Sequence, residues 1–204
     1  MTRDKNFLKW GLVTLAMLCL AHARVSFAEQ PIEQIKKTVE RVVEILQGPG
    51  SNADGRKAET RQMIRQTLLP RFDFAEMAQR SLGSRWKNLD GRQKEFVSVF
   101  TDFMENSYMS ALESYKGEKI VYLRERVDQN FAEVTTQIVP TKGEPFPVSY
   151  RLQLVEGDWK VYDVLIDNIS LVNNFRSQFN RILATASFDE LLKKLREKGS
   201  DRPI

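Results

Sequence analysis

The chain has 204 residues, with 31 Lys+Arg against 27 Asp+Glu for a formal net charge of +4, one Cys and one His. Both Cys19 and His22 fall in a leader-like N-terminus, so a processed chain would carry neither thiol nor imidazole. Disulfides, Cys/His zinc sites and Ser-His-Asp or Cys-His catalysis are thereby excluded, because each needs a residue type that would be missing.

The leader is built in the order of an export signal. Arg3, Lys5 and Lys9 make a basic lead, "GLVTLAMLCLA" an apolar run, and Ser26 and Ala28 supply small residues for cleavage before Glu29, with a second candidate after Ala23. The run is shorter than the roughly 20 apolar residues that span a bilayer. Residues 1–28 are therefore expected to be a cleaved signal peptide and the product to be exported to the periplasm. Arg3, Lys5, Lys9 and Arg24 would leave with only Asp4, which brings the remainder close to neutrality. The sequence pI of about 9.2 thus belongs largely to the leader and gives no electrostatic ground for nucleic-acid binding.

Residues 29–204 read as a single domain in three stretches: helical over 31–117, a sheet over 118–166, and C-terminal helices over 170–198. In "PIEQIKKTVERVVEILQ" (31–47), Ile32, Ile35, Val39, Val42, Val43 and Leu46 form one helical stripe that stops at Gly48-Pro49-Gly50. A second helix, "KAETRQMIRQTLLP", ends at Pro70. In "FDFAEMAQRSLG", Asp73 can cap with Glu76 three residues on, Phe72 and Met77 take the staple positions, and Gly83 is a natural stop. The longest helix is predicted from Asp90, as cap with Gln93, to Gly117, a span of ~39 Å at 1.5 Å per residue. It carries Phe96, Phe100, Phe103, Met104, Tyr108, Ala111, Leu112 and Tyr115 at helical spacing.

After Gly117 the period changes to two in four runs, "KIVYLRER", "FAEVTTQIV", "FPVSYRLQLV" and "WKVYDVLI". The short breaks "VDQN", "TKGEP" and "EGD" predict an antiparallel meander. In the third run Val148, Tyr150, Leu152 and Leu154 share one face, with Ser149, Arg151 and Gln153 opposite. The segment "DNIS" then feeds an apolar strand into an apolar helix capped by Ser170. A last helix has Ser187 and Glu190 in capping-box positions. This order predicts an α+β fold: a curved four-stranded antiparallel sheet packed against several helices, in which any incompletely filled space becomes an apolar pocket; periodicity alone does not separate a filled core from a lined cavity.

Carboxylates are the remaining candidates for chemistry. Asp163 and Asp167 could form an acid-base pair, but the local pattern gives Asp163 to a neighbouring Arg and Asp167 to the turn. Asp73 and Glu76 belong to a helix start. No phosphate-cradling glycine loop and no calcium-loop pattern occurs.

Four segments carry a resemblance: "FDFAEMAQRSLGSRW" (72–86), "RQKEFVSVFTDFMENSYMSALESYKGE" (92–118), "VSYRLQLVEGDWKVYDVLIDNISLVNNFRSQF" (148–179) and "ILATASFDELLKKLREK" (182–198). In this order they resemble the MlaC family, also called the toluene-tolerance family, over nearly the whole processed chain. One departure is Asn168, where the family commonly has Gly; Asn tolerates positive φ, so the turn can survive. The resemblance implies an NTF2-like sheet whose helices close a deep pocket for acyl tails. It also implies a periplasmic phospholipid carrier, shuttling lipid between outer and inner membranes and maintaining outer-membrane lipid asymmetry. Its expected partners are phospholipid, an inner-membrane ABC transporter complex with its substrate-binding ring, and an outer-membrane lipoprotein complex. A monomer is expected, with bound phospholipid, no cofactor, no metal, no nucleic acid and no enzyme activity.

On that reading the expected tail-lining residues are Phe100, Phe103, Met104 and Tyr108 on the long helix and Tyr150, Leu152, Val164 and Ile166 on the sheet. Ile169, Leu171, Phe175 and Phe179 complete the set around and after "DNIS". Arg176 is expected to pair with Asp163 across the strand-helix turn or else to meet a lipid phosphate at the pocket mouth. The competing readings are a binder of apolar solutes or solvents and an NTF2-like enzyme using Asp163 with Tyr150 or Tyr162.

Overall fold

The structure is a computed structural model that describes residues 29–49 and 55–200; the proposed signal peptide, with Cys19 and His22, lies outside the described residues. Helix α1 (Pro31–Gln47) starts with Pro31, whose fixed φ suits a first helical position. Helix α2 (Lys57–Leu68) precedes α3 (Phe74–Leu82), where Asp73 caps as expected by accepting from the Glu76 N–H at 2.9 Å. Gly83 follows at φ +58, a conformation that favours glycine, and a 3-10 helix over Gly83–Asn88 turns the chain toward α4 (Gln93–Glu113).

Helix α4 is shorter than the sequence pattern predicted. Asp90 does not cap it: Asp90 and Gly91 both have positive φ in a turn, and the N-cap is Arg92 with no side-chain bond to the helix. Arg92 fixes the start in another way, donating to Glu95 at 2.9 Å and to Asp189 at 2.6 Å. The 21 residues of α4 run ~32 Å, because the chain leaves the helix after Glu113 and turns through Gly117 at φ +92.

The sheet is a meander in the order β1 (Lys119–Asp128), β2 (Phe131–Val139), β3 (Phe146–Val155), β4 (Asp158–Ile166) and β5 (Ile169–Ser170), all antiparallel. The fifth strand, absent from the sequence-based expectation, is two residues long and formed by "DNIS" itself. Register shifts between Tyr122 and Arg124 and between Arg151 and Leu152 mark bulges, which bend strands and increase local twist. The segment at Phe72 covers the far edge of β4, with Val161 N–H donating to Arg71 O and Asp73 N–H to Val161 O, both at 2.8 Å.

Helices α5 (Leu171–Leu183) and α6 (Phe188–Ser200) close the fold. Phe96 and Phe100 of α4 meet Phe175 and Phe179 of α5 edge to face at centroid distances of 5.9–6.2 Å, and Phe188 closes on Phe96 at 5.9 Å. The buried apolar side chains fall into two clusters. The larger joins Ile35 of α1 and α3–α6 to the sheet, and the smaller holds Val42, Ile45 and Leu46 of α1, Ile64 of α2 and Met109 of α4.

Candidate functional site

A cavity of about 500 Å³ lies between those two clusters. Each of its walls is an amphipathic element whose apolar stripe faces inward. Helix α1 contributes Ile35, Val39, Val42, Val43 and Leu46; α4 contributes Met104, Tyr108, Met109 and Leu112 from its C-terminal half. The sheet contributes Ile120, Ile138, Phe146, Val148, Tyr150, Val164 and Ile166. Cross-strand pairing places the last four together, with Val148 opposite Ile166 and Tyr150 opposite Val164. The main-chain N–H of Ile32 donates to Glu125 of β1 at 2.9 Å, which anchors the start of α1 over the sheet.

Charge on this wall is sparse. Glu105 is paired with Arg65 at 3.1 Å, its other oxygen is buried without a partner, and burial pushes its carboxyl above the ordinary range. Arg71 donates to Trp159 O at 2.6 Å, to Gln34 Oε1 and to Thr38 Oγ1 at 3.3 Å, and burial lowers its pKa. Desolvation raises the phenols of Tyr108 and Tyr150, so both stay neutral. The arrangement suits apolar chains and offers no polarised nucleophile.

Of the twelve side chains predicted to line a pocket, Met104, Tyr108, Tyr150, Val164, Ile166 and Leu171 face the cavity. Phe100, Phe103, Phe175 and Phe179 do not: they stack on one another in the α4–α5 core. Leu152 is buried beyond the cavity, opposite Val161. Ile169 sits in the two-residue β5 and is 62% exposed. Helical spacing identified the inward face of α4, but its N-terminal half faces α5 and α6, whereas only its C-terminal half faces the cavity. The α1 stripe and Phe146 were missed as lining. For α1 the signal was present in the sequence as the Ile/Val stripe, but nothing local says that this stripe faces a gap.

Neither predicted role for Arg176 holds. Its Nε donates to Arg80 O at 2.8 Å, and its side chain lies over Gly83, outside the cavity lining. It ties α5 to the end of α3, because α5 packs along α3 and turns this face away from β4. Asp163 is 3% exposed and does take a neighbouring Arg, Arg151 at 3.5 Å. It also accepts from Ser170 Oγ at 2.7 Å and Val172 N–H at 3.1 Å, fixing the start of α5. Asp167 is a turn residue at φ +49. Tyr162 packs edge to face on Phe131 beneath the Arg80 guanidinium, away from the cavity. The envisaged Asp163–tyrosine chemistry therefore has no shared site. Among the described residues no cluster of potential metal ligands occurs and no helix is long and apolar enough to cross a membrane.

Similarity to known proteins agrees with this geometry. The intermembrane phospholipid transport system binding protein MlaC of Haemophilus influenzae is 26% identical over 96% of this chain and 95% of its own length. The toluene tolerance protein ttg2D of Pseudomonas putida is 28% identical over 43% of this chain and 41% of its own. The phospholipid-binding protein of Ralstonia solanacearum, solved in complex with a phospholipid, shares the fold with a TM-score of 0.73 at 24% identity, over 84% of this chain and 98% of that one. Residues 36–197 match the family described as MlaC protein, and the chain belongs to that family.

Proposed function

We propose that this protein is a soluble periplasmic phospholipid carrier of an MlaC-type ABC transport system, moving lipid between the outer and inner membranes and so maintaining lipid asymmetry. Residues 1–28 would be removed on export, and 29–204 would act as one lipid-binding unit. It would exchange cargo with an inner-membrane transporter complex and its substrate-binding ring on one side and an outer-membrane lipoprotein complex on the other, working as a monomer. The observation that carries this reading is the cavity, walled by apolar side chains from α1, α4 and the sheet.

The physics is that of matched solvents. Each buried CH₂ is worth ~0.8 kcal/mol, so two tails of about 15 CH₂ represent ~24 kcal/mol of water avoidance as an upper bound. A soluble pocket offering similar burial brings loading close to balance with a membrane and needs no covalent step. Direction of transport follows from donor and acceptor, not from the carrier.

Chloroform extraction and mass spectrometry of protein purified from a Gram-negative host test this. Diacyl phospholipid at a fixed ratio to protein is expected, with little preference among headgroup alcohols. Lipid-free protein in independent preparations, or solvent adducts in place of lipid by native mass spectrometry, would overturn it.

A further inference from the structure

Two cations lie on the cavity wall, Arg65 and Arg71. Arg65 has carboxylates, Glu105 at 3.1 Å and Asp102 at 3.8 Å. Arg71 has only neutral acceptors: Trp159 O, Gln34 Oε1 and Thr38 Oγ1. The acids that reach it electrostatically, Asp158 and Glu29, each already hold a lysine, Lys160 at 3.3 Å and Lys37 respectively. Among the described residues no carboxylate lies within ion-pair distance of Arg71.

Its position is nonetheless fixed. The backbone on either side of Phe72 is bonded to Val161 of β4. Gln34, 5% exposed, accepts from both Arg71 and the Trp159 N–H and donates to Glu29 O. The guanidinium bonds to Gln34 Oε1 and Trp159 O both use Nη1. The other edge of the guanidinium, Nε with Nη2, is the fork that meets two oxygens of a phosphate or carboxylate. There, Nε makes one long bond of 3.3 Å to Thr38 Oγ1, and no described residue accepts from Nη2. A partly desolvated cation with an open fork is costly unless an anion completes it.

We propose that Arg71, held by Gln34 and flanked by Thr38, binds an anionic phosphate oxygen, that of the phosphodiester of the carried lipid. This rests on the carrier reading and extends it. The phosphodiester is common to diacyl phospholipids, so Arg71 distinguishes phospholipid from neutral diacylglycerol and leaves the headgroup alcohol unread.

The test offers lipid-stripped protein equal amounts of chain-matched phosphatidylglycerol and diacylglycerol and measures the retained ratio by mass spectrometry. Wild type is expected to favour the phospholipid about tenfold or more, as one charge-assisted hydrogen bond provides. Arg71→Met is expected to retain both lipids within about twofold of each other. A variant that keeps the wild-type ratio overturns the assignment. Should Arg71→Met fail to fold, Arg71→Lys, which keeps the charge and loses the fork, takes its place: a weakened phospholipid preference supports the proposal, and equal uptake of the two lipids by wild type or an unchanged preference in the variant overturns it. Wild type that takes up neither lipid overturns the carrier reading and this assignment with it, whereas uptake without preference overturns only the latter. Inorganic phosphate given to lipid-free protein separates the two sources of the anion. A melting-point rise with phosphate alone that is absent in Arg71→Met would make free phosphate the ligand and overturn the lipid assignment.

Discussion

Phe100 and Ile166 both point inward from their elements, yet Phe100 is fully enclosed and Ile166 is 36% exposed at the cavity. The difference sets the outcome of substitution. Phe100→Ala removes a ring from a close-packed aromatic group and should cost about 3–5 kcal/mol in urea unfolding. Ile166→Asp places a carboxylate at the cavity edge, where water can reach it, and should cost about 1 kcal/mol while lowering bound lipid. Equal destabilisation by the two, with lipid retained in Ile166→Asp, would show Ile166 to be ordinary core. Glu105 gives a pH signature at the same scale. Burial raises its folded-state pKa above the ordinary value of 4.5, so the native state binds more protons than the unfolded chain in the window from there up to the raised value. Stability contributed by this group therefore falls as pH rises through that window. Melting temperatures of wild type and Glu105→Gln, compared from about pH 4 upward, should show this slope in wild type only. Parallel profiles would mean that Glu105 titrates normally.

At the scale of elements, the junction between β4 and α5 decides where the last part of the lining lies. Asp167 and Asn168 both adopt positive φ, 49° and 64°, the pattern of a tight hairpin turn whose twist matches its strands. That turn returns the chain along β4 as β5, and Ser170 then caps α5 by accepting from the Asn173 N–H at 3.0 Å. Leu171 is thereby delivered to the cavity and Phe175 and Phe179 to the core. Asn168→Ala should cost about 1–2 kcal/mol, the penalty of a left-handed conformation for a residue with a Cβ and no local hydrogen-bonding group. Asn168→Gly should melt within a degree or so of wild type on the same argument. An alanine variant as stable as the glycine one would show that the turn can adopt another conformation.

The whole molecule is a divided core. The aromatic group of α4, α5 and α6, the inner face of the sheet and the first half of α1 form one mass, while the second half of α1, α2 and the end of α4 meet in a smaller cluster across the cavity. Elements with few buried apolar neighbours open most readily, and cargo filling the gap would tie the two parts together. Hydrogen exchange should be faster in α2 than in β2 or β3 and should slow on phospholipid loading. Stripping lipid should lower the melting point, and re-adding it should restore it. Uniform protection across α2 and β3, unchanged by lipid, would refute this picture of two parts joined by cargo.

What the sequence determined alone are the features with local causes. Asp73, Ser170 and Ser187 cap where expected, the four long strands pair as a meander, and the inward face of each strand and helix follows from its period. Asp90 misled because an Asp before Gly serves a tight turn as readily as a helix start, and here Asp90 and Gly91 sit in a turn closed by the Arg92 N–H donating to Leu89 O at 2.9 Å. Tertiary structure alone decided which inward side chains meet protein and which meet a gap. Phe103 and Met104 are neighbours on one helix, yet Phe103 packs on Phe175 and Met104 faces the cavity. The same holds for charges: Asp163 found Arg151 across the sheet, Arg176 found a carbonyl on α3, and Arg71 found no acid among the described residues. Period and propensity are properties of one element, whereas a cavity is a property of the distance between several, fixed only when they pack.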